Sequence, residues 1–366
     1  MANCPTRNWN VFKTMPDQSL LLQQQVKENI RRGQVMQIIA GGSKAFLAQE
    51  TNGETLSVKQ HSGIVQYEPT ELVITARCGT PLHEVNSTLA EQNQMLAFEP
   101  PAYSDQATIG GCIAAGLSGP RRPFTGAVRD TTLGSKLING EGEIVRFGGE
   151  VMKNVAGYDV SRLLVGSMGT LGVILEASLK VLPIPETEVT TSFELDQKTS
   201  IDRINRLCSQ ALPITASCFD SKRLYIRLSG TESGIKQAMH TLGGERLSND
   251  GKFWQDIKEQ RHSFFDSTKR IWRLSVRPAT PPIEIDGKQL IEWRGALRWL
   301  ATAEAPEIVR EITNIHDGHA TIFKNAQQDD EIFHPLTDNL FELHRNLKHA
   351  MDPHGLFNPG RMYRGL

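Results

Sequence analysis

"VGSMGTLGVILEASLKVLP", residues 165–183, decides the fold: Gly166, Gly169 and Gly172 stand three apart and lead into a β-branched apolar run. Glycine reaches positive φ and admits a close neighbour, so this spacing predicts a tight turn laid against another backbone or a ligand, followed by a buried strand. Three other stretches share the trait: "AGGSK" (40–44), "ATIGGCIAAGLSGP" (107–120) and "NVAGYD" (154–159). Clustered main-chain amides form anion-binding nests in which a charge-assisted hydrogen bond is worth about 1.5–3 kcal/mol. A pyrophosphate suits such a nest, while turns in a short-stranded domain need the same glycines. Two familiar nucleotide loops fail on spacing. "GSMGTLG" contains no G-x-G, and Lys44 of "GGSK" follows a serine with no glycine five residues earlier.

Outward from this centre, Leu22, Val26 and Ile30 mark a helix that stops at Gly33, and "TLSV" and "ELVITA" read as strands divided by turn residues. Thr80 and Pro81 predict the start of a second helix with Leu82, Val85 and Leu89 on one face. "TLGSKLINGEGEIVRFGG" alternates like a hairpin about Asn139-Gly140. Two prolines in "LPIPETE" divide this glycine-rich part from a region where helical runs alternate with strand-like "RLYIRLS", "RIWRLSV" and "GALRWLA", an α+β layer. Leu336, Leu340, Leu343 and Leu347 mark a last helix ending before Asp352-Pro353.

The chain has 366 residues, enough for two to three domains of ~150 residues and a core able to enclose a cofactor. Its 40 Lys and Arg nearly balance 41 Asp and Glu, which gives no field for a nucleic acid backbone or an anionic bilayer. Cys4, Cys78, Cys112, Cys208 and Cys218 are widely spaced, without a C-x-x-C pair for zinc or an iron–sulfur cluster. No signal-like start and no long apolar run occur, so the expectation is a cytoplasmic protein without membrane insertion. Arg273, Arg277, Arg294 and Arg298 are candidates for a substrate carboxylate, and Trp272, Trp293 and Trp299 beside them either wall a pocket or fill a core. His316 and His319 lack a third metal ligand nearby, so no metal is expected.

The four glycine-rich stretches, with "DPHGLFNPGRMY" at 352–363, resemble the flavin-binding fold of the vanillyl-alcohol oxidase (PCMH-type) superfamily. In detail, "ELVITARCGTPL", "SGPRRPFTGAVRD", "RFGGEVMKNVAGYDVSRLLVGSMGTLGVI" and "FNPGRMY" are similar to the FAD-binding subunits of bacterial glycolate oxidases. The resemblance implies an α+β chain: an FAD-binding domain of two α+β subdomains over residues 1–185, a smaller α+β cap over 186–330, and a segment at 331–366 returning to the flavin. It also implies FAD contacts at Gly41, Gly42 and Ser43; at Thr108, Gly110, Gly111 and Gly116; at Gly166, Gly169, Thr170, Gly172 and Ile174; and at Asn358.

Relatives that attach flavin covalently carry a histidine in or near the first loop; "AGGSKAFLA" has none, so the expectation is non-covalent FAD. The "GDGN-x-H" stretch of catalytic relatives is reduced here to "HDGHATIF", leaving His319 as a loose match; His319 and Arg298 are the candidates for a catalytic role. The implied function is oxidation of glycolate or another small 2-hydroxy acid within a complex, with a larger FAD-binding subunit and an iron–sulfur subunit as partners. That complex would place the chain at the periphery of the inner membrane. The alternatives are an assembly subunit whose active site has decayed, and a flavoenzyme like the enolpyruvyl-sugar reductases.

Overall fold

The computed structural model describes residues 16–149, 159–328 and 330–366. Cys4, the opening "MANCPTRNWN" and most of "NVAGYD" lie outside the described residues.

The apolar run after Gly172 forms the strand Val173–Lys180, the middle of a five-stranded antiparallel sheet. Its neighbours are Val73–Arg77 and Thr132–Ile138, with Ile64–Glu68 and Ile144–Gly148 at the edges. Burial on both faces explains why this strand reads as continuous rather than alternating. On one face Ile174, Ala177 and Leu179 join the helices Leu82–Ala90 and Ile109–Ala115 through Val85, Leu89, Ile109 and Ile113. On the other, Val173 and Leu175 pack with Leu22 and Val26 of the helix Ser19–Arg32 and with Met36, Leu56 and Phe357. A register break where Lys136 and Leu137 face Glu176 and Ile174 lets Ile174 share a face with Ala177.

Met36–Ile39 and Glu54–Ser57 form a parallel pair, and Phe357 bridges to Met36 from the C-terminal segment. Two local expectations shift. Thr80 does not cap the second helix; its hydroxyl donates to the Arg77 carbonyl (2.6 Å), and Pro81 occupies the cap position. The turn from Thr132–Ile138 to Ile144–Gly148 reaches positive φ at Gly142, while Asn139 Oδ1 accepts from the Glu141 and Glu143 amides. Gly140 is needed instead because a Cβ would lie 2.5 Å from the Asp352 Cα.

From Thr187 the chain builds an eight-stranded antiparallel sheet in the order Glu245–Arg246, Thr187–Glu194, Arg223–Gly230, Ile214–Phe219, Lys288–Glu292, Leu297–Thr302, Arg270–Ser275, His319–Lys324. Gln197–Leu207 and Glu232–Leu242 cover one part of it through Ile201, Ile204, Ile235 and Ala238, and Pro306–Ile315 covers another through Val309. A cluster containing Trp254, Phe265, Trp293, Trp299 and Phe323 meets Tyr103, Leu117 and Met168 from the glycine-rich part. There Glu99 pairs with Arg121 and Arg227, and Glu188 with Arg121, tying the two parts by charge. The last helix, Asp338–Met351, buries Lys348 and leaves Leu340 and Leu343 exposed. No helix among the described residues is long and apolar enough to cross a membrane.

Candidate functional site

A cavity of about 420 Å³ lies between the strand Met36–Ile39, the loop after it, the helix Ile109–Ala115 and the turn around 168–172. That volume is within the range of cofactor sites. Of the expected contacts, Gly41, Gly42, Ser43, Thr108, Gly110, Gly111, Gly169, Gly172 and Ile174 line it. Gly116, Gly166, Thr170 and Asn358 stand behind that wall.

The first loop supplies the anion nest. The N–H groups of Gly41, Gly42, Ser43 and Lys44 have no acceptor among the described residues. Gly42 sits at φ +68°, and a Cβ there would meet nothing within 4 Å. A Cβ on Gly41 would fall 1.5 Å from the Gln106 carbonyl oxygen, so the loop lies directly on the second glycine-rich stretch. Four successive free amides curled around a left-handed residue can hold the oxygens of a diphosphate.

The second stretch works differently from the sequence expectation. Gly110 N–H donates to the Cys78 carbonyl (2.9 Å) and Gly111 N–H to Thr108 Oγ1 (3.2 Å), so neither amide is free. These glycines provide clearance. A Cβ on Gly110 would lie 2.5 Å from the Cys78 Cβ, whereas one on Gly111 would find only Thr108 Oγ1 at 3.3 Å.

The residues behind the wall hold its parts together. A Cβ on Gly116 would come 2.9 Å from the Gly166 Cα, and Gly166 N–H donates to the Ile113 carbonyl (2.9 Å). Thr170 Oγ1 donates to the Ser167 carbonyl (2.7 Å). Asn358 is fully buried; its Oδ1 accepts from Ile38 N–H (2.9 Å) and its Nδ2 donates to the Met168 carbonyl (2.8 Å). Each therefore positions a contacting loop.

Sequence reasoning weighed Lys44 only as a phosphate-loop lysine and did not single out Arg361 or Lys348. Lys44 is buried and lines the cavity, with Nζ 3.4 Å from both Ser43 Oγ and the Ala102 carbonyl and 3.8 Å from Cys112 Sγ. Three long contacts leave an ammonium with capacity for a better acceptor. Burial raises the Cys112 thiol despite the opposing charge of Lys44. Arg361 reaches the cavity from the C-terminal segment, and burial lowers its guanidinium from the usual value. Lys348 Nζ donates to the Thr170 and Phe357 carbonyls (both 2.8 Å) and to Asp352 Oδ2 (2.6 Å), clamping the glycine turn to the returning segment. The "NPGRMY" stretch could have drawn attention to Arg361, and the i,i+4 Lys348–Asp352 pair to the clamp.

The catalytic candidates stand elsewhere. Arg298 is fully buried and its guanidinium donates to the Gly295, Pro281 and Thr280 carbonyls, which leaves it no fork for a substrate carboxylate. His319 begins the strand His319–Lys324 on the exposed side, 6.4 Å ring to ring from His334; burial of part of its ring, then Arg273 and His334, lower its pKa. Neither lines the cavity, nor does any histidine. Among the described residues no group of three or more His, Cys, Asp or Glu could hold a metal. Arg277 is spent on an exposed pair with Asp317, and Trp272 fills the core.

The glycine cradle fits a dinucleotide diphosphate, and comparison with known proteins agrees. The family described as FAD binding domain matches residues 16–148. Glycolate oxidase subunit GlcE of Escherichia coli (strain K12) is 46% identical over 350 residues, covering 96% of this chain and 99% of that protein. Glycolate oxidase subunit GlcD of Bacillus subtilis (strain 168) is 36% identical over 265 residues, 71% of this chain and 55% of that one. A solved structure of alkyldihydroxyacetonephosphate synthase superposes with a TM-score of 0.67 at 15% identity, covering 92% of this chain and 74% of that chain, a likeness of fold alone.

Proposed function

We propose, from the premise that this chain belongs to the GlcE-like family of PCMH-type FAD-binding proteins, that it is the flavin-bearing subunit of a glycolate-oxidase-type complex and holds its FAD without a covalent bond. The observation that carries the reading is the first loop, where four consecutive amides have no acceptor among the described residues, beside glycines whose missing side chains leave the space. When bound, FAD supplies a two-electron acceptor for the carbon bearing a hydroxyl. The chain's own residues bind and orient it: the amides of 41–44 take the diphosphate, Gly111 gives clearance, and Lys44 and Arg361 add positive charge to the wall. Electrons leave through an iron–sulfur subunit, and a larger flavin-binding subunit completes the assembly, which places this chain in the cytoplasm beside the inner membrane.

A second reading, that the chain serves assembly and the partner subunit oxidises the 2-hydroxy acid, is favoured by the cavity wall itself. It offers no histidine, and Arg298 is consumed by main-chain carbonyls. One experiment separates the readings. The purified chain is expected to be yellow, to release all its flavin on denaturation, and to show an unmodified intact mass. Anaerobic glycolate that bleaches the flavin assigns oxidation to this chain; bleaching only in the reconstituted complex assigns it to the assembly. A colourless chain that takes up no FAD would overturn the first reading and leave the assembly role.

A further inference from the structure

One peptide group stands between the first loop and the eight-stranded sheet. The bond joining Ala102 to Tyr103 presents its carbonyl oxygen to Lys44 Nζ (3.4 Å) and its N–H to Glu259 Oε2 (2.8 Å). Ala102 N–H donates to the same carboxylate, at 3.1 Å to Oε2 and 3.3 Å to Oε1. An ammonium at one end of a peptide and a carboxylate at the other polarise it in the same sense, which strengthens both hydrogen bonds. The Lys44 ammonium also stands 5.5 Å from the centroid of the Tyr103 ring.

The carboxylate reaches this loop from the other part of the molecule. Glu259 closes the helix Asp250–Lys258, and Gln260 at φ +54° turns the chain away. The Glu259 side chain is 7% exposed, with Lys258 Nζ 3.5 Å from Oε1. Its helix is fastened to the sheet: Trp254 Nε1 donates to Thr190 Oγ1 (2.8 Å), and Trp254 and Ile257 are buried in the aromatic cluster. None of residues 250–259 lines the large cavity, whereas Lys44 does. Tyr103 is held at φ +63°, a left-handed conformation that a residue with a side chain keeps only under outside constraint, and Glu259 supplies that constraint.

We propose that Glu259 is a positioning residue for FAD: acting through the Ala102–Tyr103 peptide it holds the Lys44 ammonium beside the amides of 41–44, so that the bound diphosphate and the end of the helix Asp250–Lys258 stabilise each other. An ammonium has three donors, so Lys44 keeps the Ala102 carbonyl while giving a hydrogen to a diphosphate oxygen. A diphosphate that orders Lys44 tightens the peptide on Glu259, and by linkage a loosened Glu259 weakens the diphosphate. The inference rests on the reading above that the first loop takes the diphosphate.

The test is a fluorescence titration of FAD into the flavin-free full chain, for the wild type, Glu259→Gln, Lys44→Met and the double variant. Glu259→Gln should weaken binding about tenfold with Lys44 present and less than about twofold once Lys44 is Met. Equal losses in the two backgrounds would assign Glu259 a merely structural role and overturn the proposal. Amide exchange in the wild type gives a second readout that needs no variant to fold. FAD should slow exchange of the Tyr103 amide and of the Glu259, Gln260 and Arg261 amides, which are bonded to carbonyls of the helix end; exchange there indifferent to FAD overturns the proposal too. A wild-type chain that takes up no FAD brings down the flavin reading and this inference with it, whereas FAD bound with equal losses brings down this inference alone.

Discussion

Asn358 holds Met168 across 190 positions of chain, its Nδ2 donating to the Met168 carbonyl at 2.8 Å while its Oδ1 accepts from Ile38 N–H at 2.9 Å. One buried amide therefore sets the distance between the first loop's strand and the glycine turn, the two sides of the large cavity. Met168 itself is held at φ +52°, so the turn depends on an external tether. Asn358→Asp keeps the acceptor and faces an oxygen against the carbonyl. We expect it to lower stability by about 1–3 kcal/mol in urea unfolding and to weaken FAD binding in a fluorescence titration.

Alanine separates the glycines that clear backbone from those that clear ligand. Gly41→Ala would place a methyl 1.5 Å from the Gln106 carbonyl oxygen, and its expected result is a chain that accumulates poorly or unfolds early. Gly111→Ala meets only Thr108 Oγ1 at 3.3 Å and should fold with near-normal stability. Gly111→Glu keeps that backbone but sends a carboxylate toward the diphosphate, so the variant should fold without colour. Visible absorbance per chain, read beside circular dichroism, checks all three.

These contrasts show what the sequence makes legible. Spacing alone reveals that "AGGSK", "ATIGG" and "GSMGTLG" are turns under close approach, because glycine is the residue such turns require. It does not reveal whose amide is free: Gly110 N–H is consumed by a carbonyl at Cys78, a partner set by tertiary packing. Arg273 and Arg298 look alike in sequence, yet Arg273 pairs in register with Trp299 and Arg298 with Leu274, one position along. Side chains alternate along a strand, so the register turns one guanidinium toward the Trp293 ring and the other into backbone carbonyls. Lys348 sits on a helix whose periodicity marks leucines as the inner face; tertiary contact buries the lysine and exposes Leu340 and Leu343.

Glu292 gives the fold a pH signature. Burial pushes its carboxyl up to about 7, against the opposing indole hydrogen bond from Trp299 and the charge of Arg273. A group raised on folding stabilises fully below its unfolded value near 4.5, and that contribution is lost as pH rises through about 7. On the order of 3 kcal/mol is involved. Urea unfolding of the wild type at pH 5 and pH 8 should reveal the loss, and Glu292→Gln should flatten the difference between the two. An unchanged pH slope in a folded variant would show that another group causes it.

Glu99 carries the opposite sign within the same junction. Burial would raise its carboxyl, but Arg227 and Arg121 outweigh burial and hold it below the usual range, so its contribution is present above pH 4.5 and disappears as pH falls through the lowered value. Arg227 Nη2 lies 2.9 Å from Glu99 Oε1, and Arg121 donates both its backbone N–H (2.9 Å) and its Nε (3.1 Å) to the carboxylate. Removing one member of a buried set strands the others, so Glu99→Ala should cost about 3–5 kcal/mol, far more than an exposed pair such as Arg31–Glu28. Because Arg121 and Arg227 share this carboxylate, removing both should cost less than the sum of the single losses. A thermal-unfolding cycle over Glu99, Arg121 and Arg227 measures that coupling. Additive losses would mean that the two arginines do not act through a shared carboxylate, since Glu188 too lies beside both.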